Sequence, residues 1–494
     1  MSKNLVRALL SVLPIEKFRK PTPLTSYSQR LHHDPKLLAE ALAEASATPF
    51  WLDRVDRPSA RPSLSTDLAA DLVVVGGGFC GLWTALIAKQ RHPEWEVVLL
   101  EKRRIAWAAS GRNGGFCEAE LTHGEENGRL HFAEELNIIR ELAAENFAAL
   151  ERTIEQFGID AEYENTGVMV VATEPHQVPS VTAKPELLID LDSKHGHGQS
   201  PLYLAAMKKL EGYSFVHPAK LAWGLAEAAS SLGVKIYENT KVTELEESFQ
   251  SGAKCTVVHT PEGVVTAKKV ALATNVFPAL VKKLQLFTVP IYDYALVTEP
   301  LTQEQLESID WTKRNGITDS GKEFHYYRKT QDNRILFGGW DAVYHFGRKV
   351  KDSQDQSYET FMRLADHFYS TFPALKGVRF SHAWGGAIDM STQLVAFHWV
   401  NKQKTVAYSA GYTGLGVCAT RFGAETMLDL LEGLDTPRTR LKMANKLPIP
   451  IPPEPLTFPL TFLMRRAVQK SDANGGKDGL LLRLASFFKI GFDS

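Results

Sequence analysis

A short apolar run, Leu72 to Val75, meets the turn Gly76-Gly77-Gly78 and passes through Phe79, Cys80 and Gly81 into an apolar, helix-compatible stretch ending near Ala88. A second apolar run, EVVLLE, closes at Glu101. Strand, glycine turn, helix, second strand and terminal acid, in that order, specify a βαβ unit built to grip a dinucleotide. Gly76 permits the tight turn, Gly78 lets the backbone approach a pyrophosphate, and Gly81 lets helix and strand pack closely. The helix N-terminus offers free N–H groups and a positive dipole end to the phosphates. Glu101 can accept hydrogen bonds from an adenosine ribose. The motif alone leaves NAD and FAD open.

Composition bounds the rest. The chain has 494 residues, 44% hydrophobic and 23% charged, with a net charge of −1. That suits a large core in two intertwined domains and argues against a nucleic-acid partner. Cys80, Cys117, Cys255 and Cys418 are scattered, with no metal-ligand spacing, which predicts no metal site and fits a reducing cytoplasm. No apolar run is long enough to span a bilayer. The start, Met1 to Lys20, mixes cations with apolar residues as a short amphipathic helix would. Arg7 and Pro14 argue against a signal peptide and Glu16 against a mitochondrial presequence, while peripheral membrane contact and packing on the body both stay open.

Along the chain, Pro58 and Pro62 mark a connector after an N-terminal extension, 1–70. Glu134 to Phe157 has helical apolar spacing and stops at Gly158. Leu221 to Leu232 reads as a helix, KIYENTKVTELEE as strand, and CTVVHTPEGVVTAKKVALATN as a hairpin entering a buried strand. From Pro290, IYDYALVTE, EFHYYRKT and RILFGGW suggest an antiparallel sheet. VAYSAG then leads into GYTGLGV, a second glycine turn that opens a helix. The expected partition is a discontinuous dinucleotide domain (71–160, 215–289, 381–446), a substrate domain (161–214, 290–380) and a wrapping tail (447–494) with a terminal helix.

GGGFCGL at 76–82, SGRNGGFC at 110–117, ALATN at 271–275, WGGAID at 384–389 and GYTGLGV at 411–417 together resemble the FAD-dependent amine and amino-acid oxidoreductases. That group includes D-amino-acid oxidase, glycine oxidase and sarcosine oxidase, and the resemblance is greatest to the gamma-glutamylputrescine oxidase-like branch. It implies an α/β fold: a Rossmann-like FAD-binding domain with an interleaved antiparallel-sheet substrate domain. It also implies non-covalent FAD held by Gly76, Gly78, Phe79, Cys80, Gly81, Glu101 and Lys102. The loop Ser110, Gly111, Arg112, Asn113, Gly114 and Gly115 would run beneath the flavin. Val242 would meet the adenine, and Thr274 and Asn275 the pyrophosphate or ribityl chain. Gly411, Thr413, Gly414, Leu415, Gly416 and Val417 would face the flavin's pyrimidine edge, where a helix N-terminus favours negative charge.

The implied chemistry is hydride transfer from an amine-bearing carbon to flavin, giving an imine that hydrolyses, with oxygen or another acceptor taking the electrons. No side-chain base is required. Two carboxylate anchors of amino-acid oxidases are missing: no arginine lies between Trp384 and Asp389, and Cys418 stands where sarcosine oxidase has a lysine. This weakens an α-amino acid as substrate and favours an amine whose charge lies elsewhere. Amino-acid or aminophosphonate oxidation, an NAD(P)H-dependent flavin reductase or monooxygenase, and a non-catalytic FAD subunit stay as alternatives. Tyr326, Arg328, Trp340 and Trp384 are the substrate candidates, with core packing or a strand-end salt bridge as the competing readings. Asp293, Glu299 and Asp389 could meet a second cationic end, or simply face water. Alternation forbids Tyr326 and Tyr327 from sharing a face.

Overall fold

A computed structural model describes residues 26–28, 30–250 and 253–490. The amphipathic helix expected at Met1 to Lys20 lies outside the described residues. The first of two large sheets has the order β17 (Phe397–Val400), β18 (Val406–Ala410), β10 (Val264–Leu272), β1 (Leu68–Val75), β2 (Val97–Leu100), β7 (Lys235–Tyr237). β9 (Ala253–His259) and β8 (Glu244–Gln250) extend it from β10 as an antiparallel hairpin. β1 runs parallel to both β2 and β10, and β10 parallel to β18. A parallel sheet must be covered on its faces, which explains the unbroken Leu72–Val74 run: none of these side chains retains exposed surface. Helices Phe79–Arg91, Pro218–Ser231 and Gly416–Glu432 pack there, with Leu136–Gln156 against the last. The strand expected from Lys235 to Glu247 is broken into β7 and β8, with Asn239 in a left-handed conformation between them.

The second large sheet has the order β15 (Val343–Tyr344), β11 (Val289–Thr298), β14 (Ile335–Gly339), β13 (His325–Lys329), β12 (Gly316–Asp319), β4 (Val168–Ala172), β5 (Ala205–Lys209), with β16 (Phe380–Met390) also on β11. All its pairings are antiparallel except β12 with β4. Helix Tyr358–Thr371 fills its apolar face, and helix Pro35–Leu42 packs on that helix. A small pair, β3 (Phe116–Glu118) with β6 (Tyr213–Phe215), sits between the two systems.

WGGAID, grouped by sequence with the dinucleotide unit, lies on β16, whose length pairs with β11 of the second sheet. Its last residue, Asp389, nonetheless reaches the second glycine turn of the first unit, so this strand ties the two together. The tail forms helices Thr457–Ala473 and Leu480–Phe487, which lie on the second sheet's side through Arg465 to Asp341 and Lys322 to Asp478.

Candidate active site

The first glycine turn is forced by contact. Gly76 has φ +116°, and a Cβ there would lie 2.5 Å from the Ala273 carbonyl oxygen. A Cβ on Gly81 would lie 1.9 Å from the Gly76 carbonyl oxygen, and one on Gly78 would lie 2.9 Å from Ser110 Oγ. The Glu101 carboxylate accepts from the Gly77 amide at 2.6 Å, the Arg103 amide at 2.8 Å and Trp107 Nε1 at 2.7 Å. One lone-pair direction on its Oε2 is left over. Burial pushes the Glu101 carboxyl up, against these three donors. Ser110 Oγ accepts from the Phe79 amide at 2.9 Å, while no described residue accepts from the Gly78 amide. Gly77 is the member of this turn that the GxGxxG pattern leaves as an unspecified position. Lys102 turns away, over the Phe277 ring.

Asn113 stitches the loop 110–115 together. Its Nδ2 donates to the carbonyls of Ala109 and Ser110, and its Oδ1 accepts from the Gly115 amide at 2.8 Å. Two indoles hold the loop from outside: Trp384 Nε1 donates to the Arg112 carbonyl at 2.9 Å, and Trp51 Nε1 to the Asn113 carbonyl at 2.8 Å. Trp51 carries no local sequence signal, because its partner lies 62 residues away. The Arg112 guanidinium pairs with Asp355 at 2.7 Å and donates to the Gly385 carbonyl at 2.9 Å. Trp107, Arg112, Phe277, Val350, Asp355 and Ala387 line a cleft between this loop, the exit of β10 and the second sheet.

At that exit, Asn275 adopts φ +50°, and its buried side-chain oxygen has no hydrogen-bond partner among the described residues. The Thr274 hydroxyl also lacks a partner of good geometry. Val242 is buried in the apolar cluster beneath β1 and β10.

The second glycine turn is held by an anion. Asp389 Oδ2 accepts from the Gly411 amide at 2.6 Å and Oδ1 from the Thr413 amide at 3.3 Å. Gly411, Thr413 and Gly414 all have positive φ, which turns successive amides toward one point. Burial pushes the Asp389 carboxyl up to about 6, and those amides oppose it. Asp389 is therefore no solvated surface acid, since 2% of it is exposed. Leu415 caps helix Gly416–Glu432, with Val417 in its first turn. His123 bonds the Thr413 carbonyl. Tyr412 donates to Cys80 Sγ at 3.2 Å, and burial pushes that thiol up to about 12. The adjacent Cys418 thiol, together with burial, holds Cys117 well above the usual thiol range.

The four substrate candidates separate. Tyr326 lies across the loop: Cβ atoms on Gly114 and Gly338 would each meet its ring at 2.7 Å. Its hydroxyl donates to Asp293 at 2.6 Å, and burial pushes that carboxyl up to about 6. Tyr327 points to the opposite face, onto Tyr203. Trp384 joins the loop, as described. Trp340 does not: a left-handed φ of +64° at the end of β14 turns it edge-on to His367, centroids 4.5 Å apart. Arg328 forms neither the expected salt bridge nor an open anchor. It is buried, donates to the Val216 and Gly115 carbonyls, and lies 4.9 Å from the Phe215 ring, with burial pulling it down to about 9. Glu299 is exposed and accepts from the Arg379 amide.

The chain is similar in sequence and fold to known flavoenzymes. Gamma-glutamylputrescine oxidoreductase of Escherichia coli (strain K12) is 28% identical over 396 residues, covering 75% of this chain and 85% of that protein. Sarcosine oxidase subunit beta of Rhizobium meliloti (strain 1021) is 25% identical, over 65% of this chain and 74% of that subunit. Glycine oxidase from Geobacillus kaustophilus has the same fold, with a TM-score of 0.60 at 19% identity, over 75% of this chain and 96% of that one. The model of the FAD-dependent oxidoreductases, DAO, matches residues 71–430. The residues gathered here, a glycine cradle with an unclaimed amide, a ribose-competent acid and an unsatisfied polar strand end, fit that cofactor, and the chain belongs to the DAO family of FAD-dependent oxidoreductases.

Proposed function

We propose that this enzyme oxidises a primary or secondary amine at the carbon bearing nitrogen, with a gamma-glutamylputrescine-like amine as the best-fitting substrate class. The observation that carries this reading is that both arginines reaching the loop are committed. Arg112 is paired with Asp355, and Arg328 is buried on backbone carbonyls. Neither is free to grip an α-carboxylate in the bidentate way amino-acid recognition uses. The similarity to the E. coli gamma-glutamylputrescine oxidoreductase supports the same choice.

In this reading the protein positions and the cofactor reacts. Glu101 would take a ribose hydroxyl on its remaining lone pair, and the Gly76–Gly81 turn with the Phe79–Arg91 N-terminus would hold the pyrophosphate. Thr274 and Asn275 would satisfy their free polar atoms on the same group, while Val242 packs at the adenine and Lys102 flanks the ribose acid. FAD, when bound, supplies the acceptor for the hydride that leaves the amine-bearing carbon. The Ser110–Gly115 loop would support the ring, and the Gly411–Val417 turn would favour the negative charge that develops there. Tyr326 and Trp384 would wall the substrate side. Asp293, which accepts from the Tyr326 hydroxyl at this wall, would draw the cationic end of an amine. The imine product would hydrolyse to a carbonyl compound and ammonia or a shorter amine, and oxygen, giving peroxide, or another acceptor would take the electrons. Burial of all four free cysteines supports non-covalent FAD and a reducing, cytoplasmic setting. Among the described residues no helix is long and apolar enough to cross a membrane.

Anaerobic titration tests the reading. Gamma-glutamylputrescine, putrescine, sarcosine, glycine, an aminophosphonate and NADPH are added separately while the visible flavin band is followed. Bleaching by an amine whose oxidised carbon bears no carboxylate, gamma-glutamylputrescine or putrescine, is expected. Bleaching by glycine or the aminophosphonate alone, or by NADPH alone, would replace it with the corresponding alternative.

A further inference from the structure

The C-terminal helical pair lies beyond the stretch matched by the family model and has an outward face that the oxidoreductase body does not use. Its inward face is well anchored. Met464, Leu482 and Ala485 form a small buried cluster between the two helices. Asp472 accepts from the Lys322 and Glu323 amides, Asp478 pairs with Lys322 at 2.9 Å, and Arg465 pairs with Asp341. The pair is therefore held in one orientation on the second sheet.

The other face is apolar and cationic. Leu460 and Leu463 are exposed on the first helix, and Leu480, Leu484, Phe487 and Phe488 on or beside the second. Leu480 and Phe487 keep 75% and 79% of their surface in water. Spacings of three and four place them as stripes along each helix. Interleaved with them are Arg466, Lys470, Lys477 and Arg483, all exposed, and none within ion-pair distance of a carboxylate among the described residues. Both acids of the pair, Asp472 and Asp478, are spent inward. An apolar stripe flanked by unpaired cations complements one kind of surface, an anionic lipid headgroup layer over hydrocarbon.

We propose that this helical pair docks the enzyme onto an anionic membrane surface, with the two phenylalanines and the leucines entering the headgroup–acyl boundary. Two other occupants fit less well on charge. Residues 1–25 carry Lys3, Arg7, Lys17, Arg19 and Lys20 against Glu16 alone, so they repel this face. A second copy would bring the same cations against themselves.

Vesicle flotation of the full-length holoprotein tests this. It binds vesicles of phosphatidylcholine mixed with phosphatidylglycerol, and raised salt weakens binding, whereas phosphatidylcholine alone retains little. Leu484→Ser/Phe487→Ser/Phe488→Ser removes binding, and Arg466→Gln/Lys470→Gln/Arg483→Gln weakens it about tenfold or more. Flavin content and melting temperature stay unchanged in both variants. The proposal is overturned if the protein ignores anionic vesicles, or if binding survives both variants and is lost on deleting residues 1–25. It is also overturned if sedimentation shows a dimer that the serine variant converts to monomer.

Discussion

The two glycine turns look alike in sequence, each opening a buried helix, yet they are held by different forces. At Gly76–Gly81 the chain has no room: a Cβ on Gly81 would sit 1.9 Å from a backbone oxygen, inside any tolerable contact. The Gly411–Gly416 turn is looser: a Cβ on Gly411 would meet the Ser391 side chain at 3.1 Å, but one on Gly414 would meet nothing within 4 Å and one on Gly416 nothing nearer than 3.7 Å. That turn depends on left-handed backbone at Gly411, Thr413 and Gly414 and on the Asp389 carboxylate that gathers its amides. The first is a steric device within one βαβ unit. The second is an electrostatic device, and its anion arrives on a strand of the other sheet.

Substitutions break this contrast to different extents. Gly81→Ala has the largest effect, because Gly76 and Val74 must move: a loss of about 3 kcal/mol or more, seen as insoluble or flavin-free protein. Asp389→Ala strips two buried amides of their acceptor and costs about 2–4 kcal/mol in urea denaturation, with FAD lost more readily. If Asp389→Ala is silent, the second turn is steric after all.

A pH series sharpens the point. Burial holds the Asp389 carboxyl at about 6, above its ordinary value in the unfolded chain. From about pH 4 to 6 the folded state therefore keeps a proton that the unfolded state has released, so this group's contribution to stability falls as pH rises through that window. Relative to Asp389→Asn, which cannot titrate, the native protein should lose about 1–3 kcal/mol between those limits. Urea midpoints for both proteins at each end of the window measure it, and parallel curves would refute it.

Smaller effects follow at the strand end and the helix start. Asn275→Gly removes a side-chain oxygen without a partner and relieves φ +50°, so the flavin-free protein should melt no lower while FAD affinity falls about tenfold. A matched fall in both would mean that Asn275 serves the fold. Gly416→Ala should shift the melting temperature little or upward, by about 0.5–1 kcal/mol of added stability, since its backbone is helical and its space open.

Much of the first unit was legible because its determinants are local. Glycine spacing, the apolar strand and the terminal acid lie within 31 residues, Asp71 to Glu101, and each follows from backbone sterics or sheet burial. The second sheet was legible as alternating strands, and alternation alone separated Tyr326 from Tyr327. Side-chain partners were not legible. Arg328, a substrate candidate with a strand-end salt bridge as its competing reading, sits on carbonyls instead, Trp340 turns away on a left-handed residue, and Asp389 is buried rather than solvated.

The sequence by itself determined the βαβ unit, the two glycine turns and the family, because period, handedness and close packing are written in neighbouring residues. Only the tertiary structure decided that Trp51 and Trp384 hold the Asn113 and Arg112 carbonyls, that Arg112 is spent on Asp355, and that Asp389 closes the second turn. Those contacts span 22 to 272 residues of chain, and a hydrogen bond leaves no periodic trace in sequence when its partners meet only through the packing of two sheets.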